Sequence, residues 1–124
     1  MAAPNIANLS TVTGKTNQIS LTTATATSVL SNAASSGKVF KVNMLRVTNV
    51  DGTDSVNITV KVHSAAAGGG TGYEITSTQA LAADTYTDII TKDNTLYIEE
   101  DRSISVTASA ADDAVVVVSY EEIS

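Results

Sequence analysis

Val56-Asn57-Ile58-Thr59-Val60-Lys61-Val62-His63 is the stretch whose reading decides the fold. Apolar side chains stand at 56, 58, 60 and 62, with polar ones between them. Successive side chains of an extended chain point to opposite faces, so this alternation describes a β-strand with one face in a core and the other in water. On that pattern His63 lies on the wet side, as a surface histidine. Ser103-Ile104-Ser105-Val106-Thr107-Ala108 repeats the period of two near the C-terminus.

Working outward, the rest of the chain reads the same way. Val39 to Val50 places Phe40, Val42 and Met44 on one face and Val39, Leu45 and Val47 on the other. Ala114 to Tyr120 contains four consecutive valines, as expected of a central strand buried on both faces. Thr16 to Leu21, Thr25 to Leu30, Tyr73 to Thr76, Thr85 to Ile90 and Leu96 to Glu99 are shorter candidates. Thr and Ser make up about a quarter of the residues, and Thr favours a pleated, half-buried surface. No stretch carries apolar residues at helical spacing for three turns.

Turn signals separate these runs at Ser36-Gly37, Asp51-Gly52, Lys92-Asp93-Asn94, Glu100-Asp101 and Asp112-Asp113. Asp51-Gly52, between two alternating runs, is the clearest hairpin marker. About eight or nine short strands with such spacing predict an all-β chain: a single antiparallel β-sandwich, jelly-roll-like. Residues 15–124 form the sandwich and residues 1–14 an extended N-terminal arm. The arm presents Ile6, Leu9 and Val12 among small and polar residues. Ala65 to Gly72, reading AAAGGGTG, is a small-residue loop, expected to be mobile at its tip or pressed against a neighbour.

Composition narrows the function. At 124 residues with 43% hydrophobic content the chain can bury a core of its own. It has no Cys, so neither a disulfide framework nor a thiolate metal site is available. The net charge is −6, and the seven basic residues are scattered, which argues against a nucleic-acid partner. No apolar run approaches the roughly 20 residues that span a bilayer. Met1-Ala-Ala-Pro-Asn-Ile lacks the basic start and apolar stretch of a secretion signal, so synthesis in the cytoplasm and release by lysis are expected.

Catalysis has little to work with. His63 is the one histidine, and no G-x-S-x-G elbow offers a nucleophile. Gly68-Gly69-Gly70-Thr71-Gly72 lacks the G-K-[ST] ending of a phosphate loop, and Gly14-Lys15-Thr16 lacks the glycine five residues earlier, where Leu9 stands. Glu100, Asp101, Asp112 and Asp113 are the acids that could converge on calcium; solvated turns are the ordinary reading. Trp is absent and aromatics are 4%, so a sugar platform is poorly provisioned. No cofactor, catalytic residue or resident metal is expected. What remains is adhesion: strand edges that can pair with a neighbour, and loops with small residues.

Several stretches carry a resemblance. Met1-Ala-Ala-Pro-Asn-Ile with Thr11-Val12-Thr13-Gly14-Lys15-Thr16, then Ser31-Asn32-Ala33-Ala34-Ser35-Ser36-Gly37-Lys38-Val39-Phe40-Lys41-Val42, resemble small virion proteins of tailed bacteriophages, marine and cyanobacterial ones among them. So do Val47-Thr48-Asn49-Val50-Asp51-Gly52, Leu96-Tyr97-Ile98-Glu99-Glu100 and the ending Ser119-Tyr120-Glu121-Glu122-Ile123-Ser124. Where those relatives read E-E-G-D-S, this chain has Glu99-Glu100-Asp101-Arg102-Ser103 and lacks the glycine. The resemblance implies a structural component of the particle, a decoration (cement) protein on the outer surface of the head. Its partners would be the major capsid protein or other virion proteins, with self-association as trimers. Ile6, Leu9 and Val12 in the arm, and Gly68, Gly69 and Gly70 in the loop, are then the expected protein contacts.

Overall fold

The computed structural model describes residues 4–124. Among the described residues nine strands form: β1 (Val12–Leu21), β2 (Thr27–Asn32), β3 (Val39–Asn49), β4 (Val56–His63), β5 (Gly72–Leu81), β6 (Tyr86–Ile90), β7 (Leu96–Ile98), β8 (Arg102–Ala108) and β9 (Ala114–Ile123). One sheet runs β1-β9-β3-β6, with β7 also on β3; the other runs β2-β8-β4-β5. Every pairing is antiparallel. The chain passes from sheet to sheet at most connections, and β6 and β7 pair with successive lengths of β3 as one interrupted strand. That order is a jelly roll, the double Greek key that sequence patterning left as a rival of the plain sandwich.

The core lies between the sheets. Leu21, Phe40, Val42, Leu45 and Val47 meet Ile58, Val60, Ile104 and Val106, all closed to solvent. Burying a side chain of that size contributes about 1.5–3 kcal/mol, and the strands are too short to persist without it. Phe40 and Tyr120 pack at a centroid distance of 5.1 Å, tilted by 45°. β9 is central in its sheet, with Val116 and Val118 inside and Val115 and Val117 half-buried on the outer face. The expected burial on both faces is therefore only half realised.

Four readings need correction. Asp51-Gly52 does not close a hairpin: β3 and β4 belong to different sheets, and the Asp51 carboxylate instead accepts the N–H groups of Thr53 and Asp54. The register shift between Val42 and Met44 inserts Asn43 into β3, so Met44 falls outside the core while Leu45 takes the inner phase. His63 is buried and not a surface histidine: its ring lies between Ser105 of β8 and Gly72 of β5. Val12, Thr13 and Gly14, expected in the arm, pair with Ile123, Glu122 and Glu121 as the start of β1. Residues 1–3 of that arm lie outside the described residues.

Candidate interaction surface

The residues expected to make contacts gather at one end of the sandwich, where β2, β4, β7 and β9 finish and β3 and β8 begin. There the N-terminal segment is tied to the C-terminus. The Ser10 and Thr11 N–H groups donate to the Ser124 carbonyl at 2.7 and 3.0 Å, and the Ser124 N–H returns a bond to the Thr11 carbonyl. An Asx turn at Asn5, whose side chain accepts the Ala7 N–H at 3.0 Å, bends the preceding stretch. Pro4 and Ile6 then lie beside Val39, Tyr97 and Glu99 around a depression of about 220 Å³.

Val39 and Ile123 are consequently buried on the outer face of the first sheet, with Val12 next in the same register. Ile6, Leu9, Val12 and Tyr97 stay exposed around them. Sequence reasoning missed Tyr97, although the signal was there: Leu96 and Ile98 face the core, so the residue between them must face out.

The glycine loop sits at the same end on the opposite sheet. A short 3-10 turn, Ala66–Gly68, lies across β2 and β8. Ser103 Oγ donates to the Ala65 carbonyl at 2.8 Å and accepts the Gly68 N–H at 2.9 Å. Ser31 Oγ accepts the Ala67 N–H, Asp101 accepts the Ala66 N–H, and the Arg102 guanidinium donates to the Ser64 carbonyl. Gly70, at φ +64°, packs against Ser64 and Ala65, where any added Cβ would collide. The loop is pressed against its own sheet. Gly68, Gly69 and Gly70 thus share an end of the molecule with Ile6, Leu9 and Val12, on the other outer face.

Beneath the loop, His63 Nε2 and Ser105 Oγ are 2.7 Å apart, the spacing of a nucleophile and its base. Ser105 is only 2% exposed, and His63 Nδ1 has no partner to orient the ring. The pair is packed shut, and no substrate could reach it. The acids weighed for calcium are divided as well: Asp101 precedes β8 and Asp112 and Asp113 follow it, about 20 Å away along the strand. Among the described residues no cluster of three or more His, Asp or Glu side chains could hold a metal ion.

Two ionic features complete the surface. Glu122 receives Lys15 at 2.5 Å and Lys38 at 2.6 Å, and these two lysines hold its carboxyl below the ordinary Glu range. On the outer face of the first sheet Arg46 grips Asp88 through two hydrogen bonds of 2.7 and 3.0 Å and stacks 4.1 Å above the Tyr86 ring. Beside it, Thr16, Met44, Thr91 and Ser119 line an open depression of about 420 Å³.

No protein-family model matches the sequence, and no curated protein does. Solved structures share the fold. A chain of the Bacillus endospore appendages, described as a novel family of disulfide-linked pili, aligns with a TM-score of 0.51 at 16% identity, over 90% of this chain and 87% of that one. A chain of the T13 IBDV viral particle aligns with a TM-score of 0.51 at 9% identity, over 93% of this chain and 31% of that one. For T=1 particles derived from infectious bursal virus the values are 0.51, 11%, 91% and 31%. This chain spans about a third of the length of those viral chains. It is a jelly-roll β-sandwich, similar in fold to chains of viral particles and of a spore-appendage pilus.

Proposed function

We propose that the chain is a non-enzymatic structural protein of a tailed-phage virion, a decoration protein that binds the outer surface of the assembled head and stabilises it. The observation that carries this reading is the one end of the sandwich that gathers exposed Ile6, Leu9, Val12 and Tyr97 with the glycine loop. Exposed apolar groups beside a polar rim suit a protein surface as partner. The resemblance to phage virion proteins names that surface as the major capsid protein. Binding only the assembled shell shifts its equilibrium away from disruption, without chemistry or cofactor.

The test adds purified protein to undecorated heads. Saturable binding and a higher disruption temperature are expected. Removing residues 1–10 leaves β1 whole and should abolish attachment with the circular dichroism spectrum unchanged. No binding at micromolar concentration overturns the reading; labelled protein found on tails beside bare shells assigns it to the tail or collar instead.

A further inference from the structure

Four strands or strand pairs form the edges of the two sheets, and three of them are interrupted. β2 is six residues long with a register shift between Ser28 and Leu30. β5 carries two shifts and a positive φ at Thr78. The β6–β7 edge is broken by the Thr91–Asn94 turn and shifted between Leu45 and Arg46. Bulges, breaks and short lengths are how proteins keep an edge from pairing with another chain.

β1 has none of these devices. It runs ten residues beside β9 without a shift, from Val12 opposite Ile123 to Leu21 opposite Ala114. Its one charge, Lys15, is held by Glu122. Thr11 and Ser124 exchange both backbone hydrogen bonds, so the alternation of an antiparallel ladder turns the N–H and C=O groups of Val12, Gly14, Thr16, Gln18 and Ser20 away from β9, toward solvent. Such a row of groups is complementary to one thing, another extended strand.

We propose that this edge is a two-fold interface between copies of the chain, β1 pairing antiparallel with β1 of a second copy. The strand is self-complementary in one register. Centred on Thr16, it sets Val12 opposite Ser20 of the second copy, Gly14 opposite Gln18, and Thr16 opposite Thr16, so every outward group on both strands is bonded. The same register places Lys15 across from Asn17. Slipping by one hydrogen-bonded pair leaves groups unmatched at an end, and in one direction sets Lys15 against Lys15, like charges facing directly. The full-overlap register is thus the one that bonds every outward group, and it is free of that repulsion. Without Cys, the pairing is non-covalent. It does not rest on attachment to a shell: pairing is read with the protein alone and attachment with heads.

Sedimentation equilibrium should show dimers at up to roughly 100 µM, where micromolar affinity populates the pair. Thr16→Pro, which removes an N–H that β9 does not use, and Thr16→Lys should both sediment as monomers with an unchanged circular dichroism spectrum. Opposed hydrogen-bonded residues have Cα atoms about 5.5 Å apart, within disulfide range. Thr16→Cys should therefore oxidise to a covalent dimer, while Ser77→Cys, on exposed β5, should not. A wild-type chain that stays monomeric or forms trimers, or a Thr16→Cys chain that links no faster than Ser77→Cys, overturns the interface.

Discussion

Two buried asparagines do what no apolar residue could at their positions. Asn32 donates to the carbonyls of Lys38 and Ile98 and accepts the Ser36 hydroxyl. Asn49, at the other end of the sandwich, donates to the carbonyls of Asp54 and Leu81 and accepts the Asp51 N–H. Each side chain ties the crossover that follows its own strand to the last residue of a strand in the opposite sheet, Ile98 of β7 or Leu81 of β5. Asn49→Ala leaves two buried acceptors and a donor without partners, and should cost about 2–3 kcal/mol in urea unfolding with the m-value unchanged. Polar residues inside strands read from sequence as wet. His63, Asn32 and Asn49 all break that rule, because their partners, Ser105 for His63 and crossover and strand-end groups for the asparagines, are distant in sequence or set by the fold.

All nine strands were legible as elements, since period two and turn residues are local signals. Phases and connections were not. Asn43 shifts β3 by one residue, and nothing in Val42-Asn43-Met44 announces a bulge. Asp51-Gly52 announces a turn but not which sheet the next strand joins. The glycine loop reads from sequence as mobile or pressed against a neighbour; its contact with Ser31 and Ser103 of its own chain was not legible. Ser103→Ala removes both bonds of a hydroxyl closed to solvent, so the Gly68 amide should exchange about tenfold faster by hydrogen exchange, with β4 and β8 unaffected. Unchanged exchange would mean that packing alone seats the loop.

Across the whole molecule the acids divide by sign. Glu122, Asp88 and Asp51 have folded-state pKa values below their ordinary ones, through Lys15 and Lys38, through Arg46, and through the N–H and hydroxyl groups at Thr53. Their stabilisation is present above the ordinary carboxylate range and lost as pH falls through the folded values. Asp113 runs the other way: desolvation, then Asp51, Asp54 and Asp112, raise it, so the fold gains as Asp113 takes up its proton. Melting temperature should therefore rise as pH falls from neutral, peak above the folded values of Glu122, Asp88 and Asp51, and fall as pH drops through them. Asp113→Asn should flatten the rise between neutral pH and the peak, as scanning calorimetry would show. A monotonic rise toward pH 7 would contradict the assignment. The candidate surface was legible where it rested on exposed apolar residues; the end-to-end gathering of arm and loop needed the jelly-roll order.

The bonds between Thr11 and Ser124 have a mechanical consequence. The chain enters the fold beside the place where it leaves, on adjacent antiparallel strands. A load drawn across these two residues would meet the β1–β9 ladder one rung at a time, each rung resisting with about 1 kcal/mol. A load shared along the length of β1 would strain all rungs together. Held by its flank the domain is a stiff plate; pulled by its two ends it is a zip.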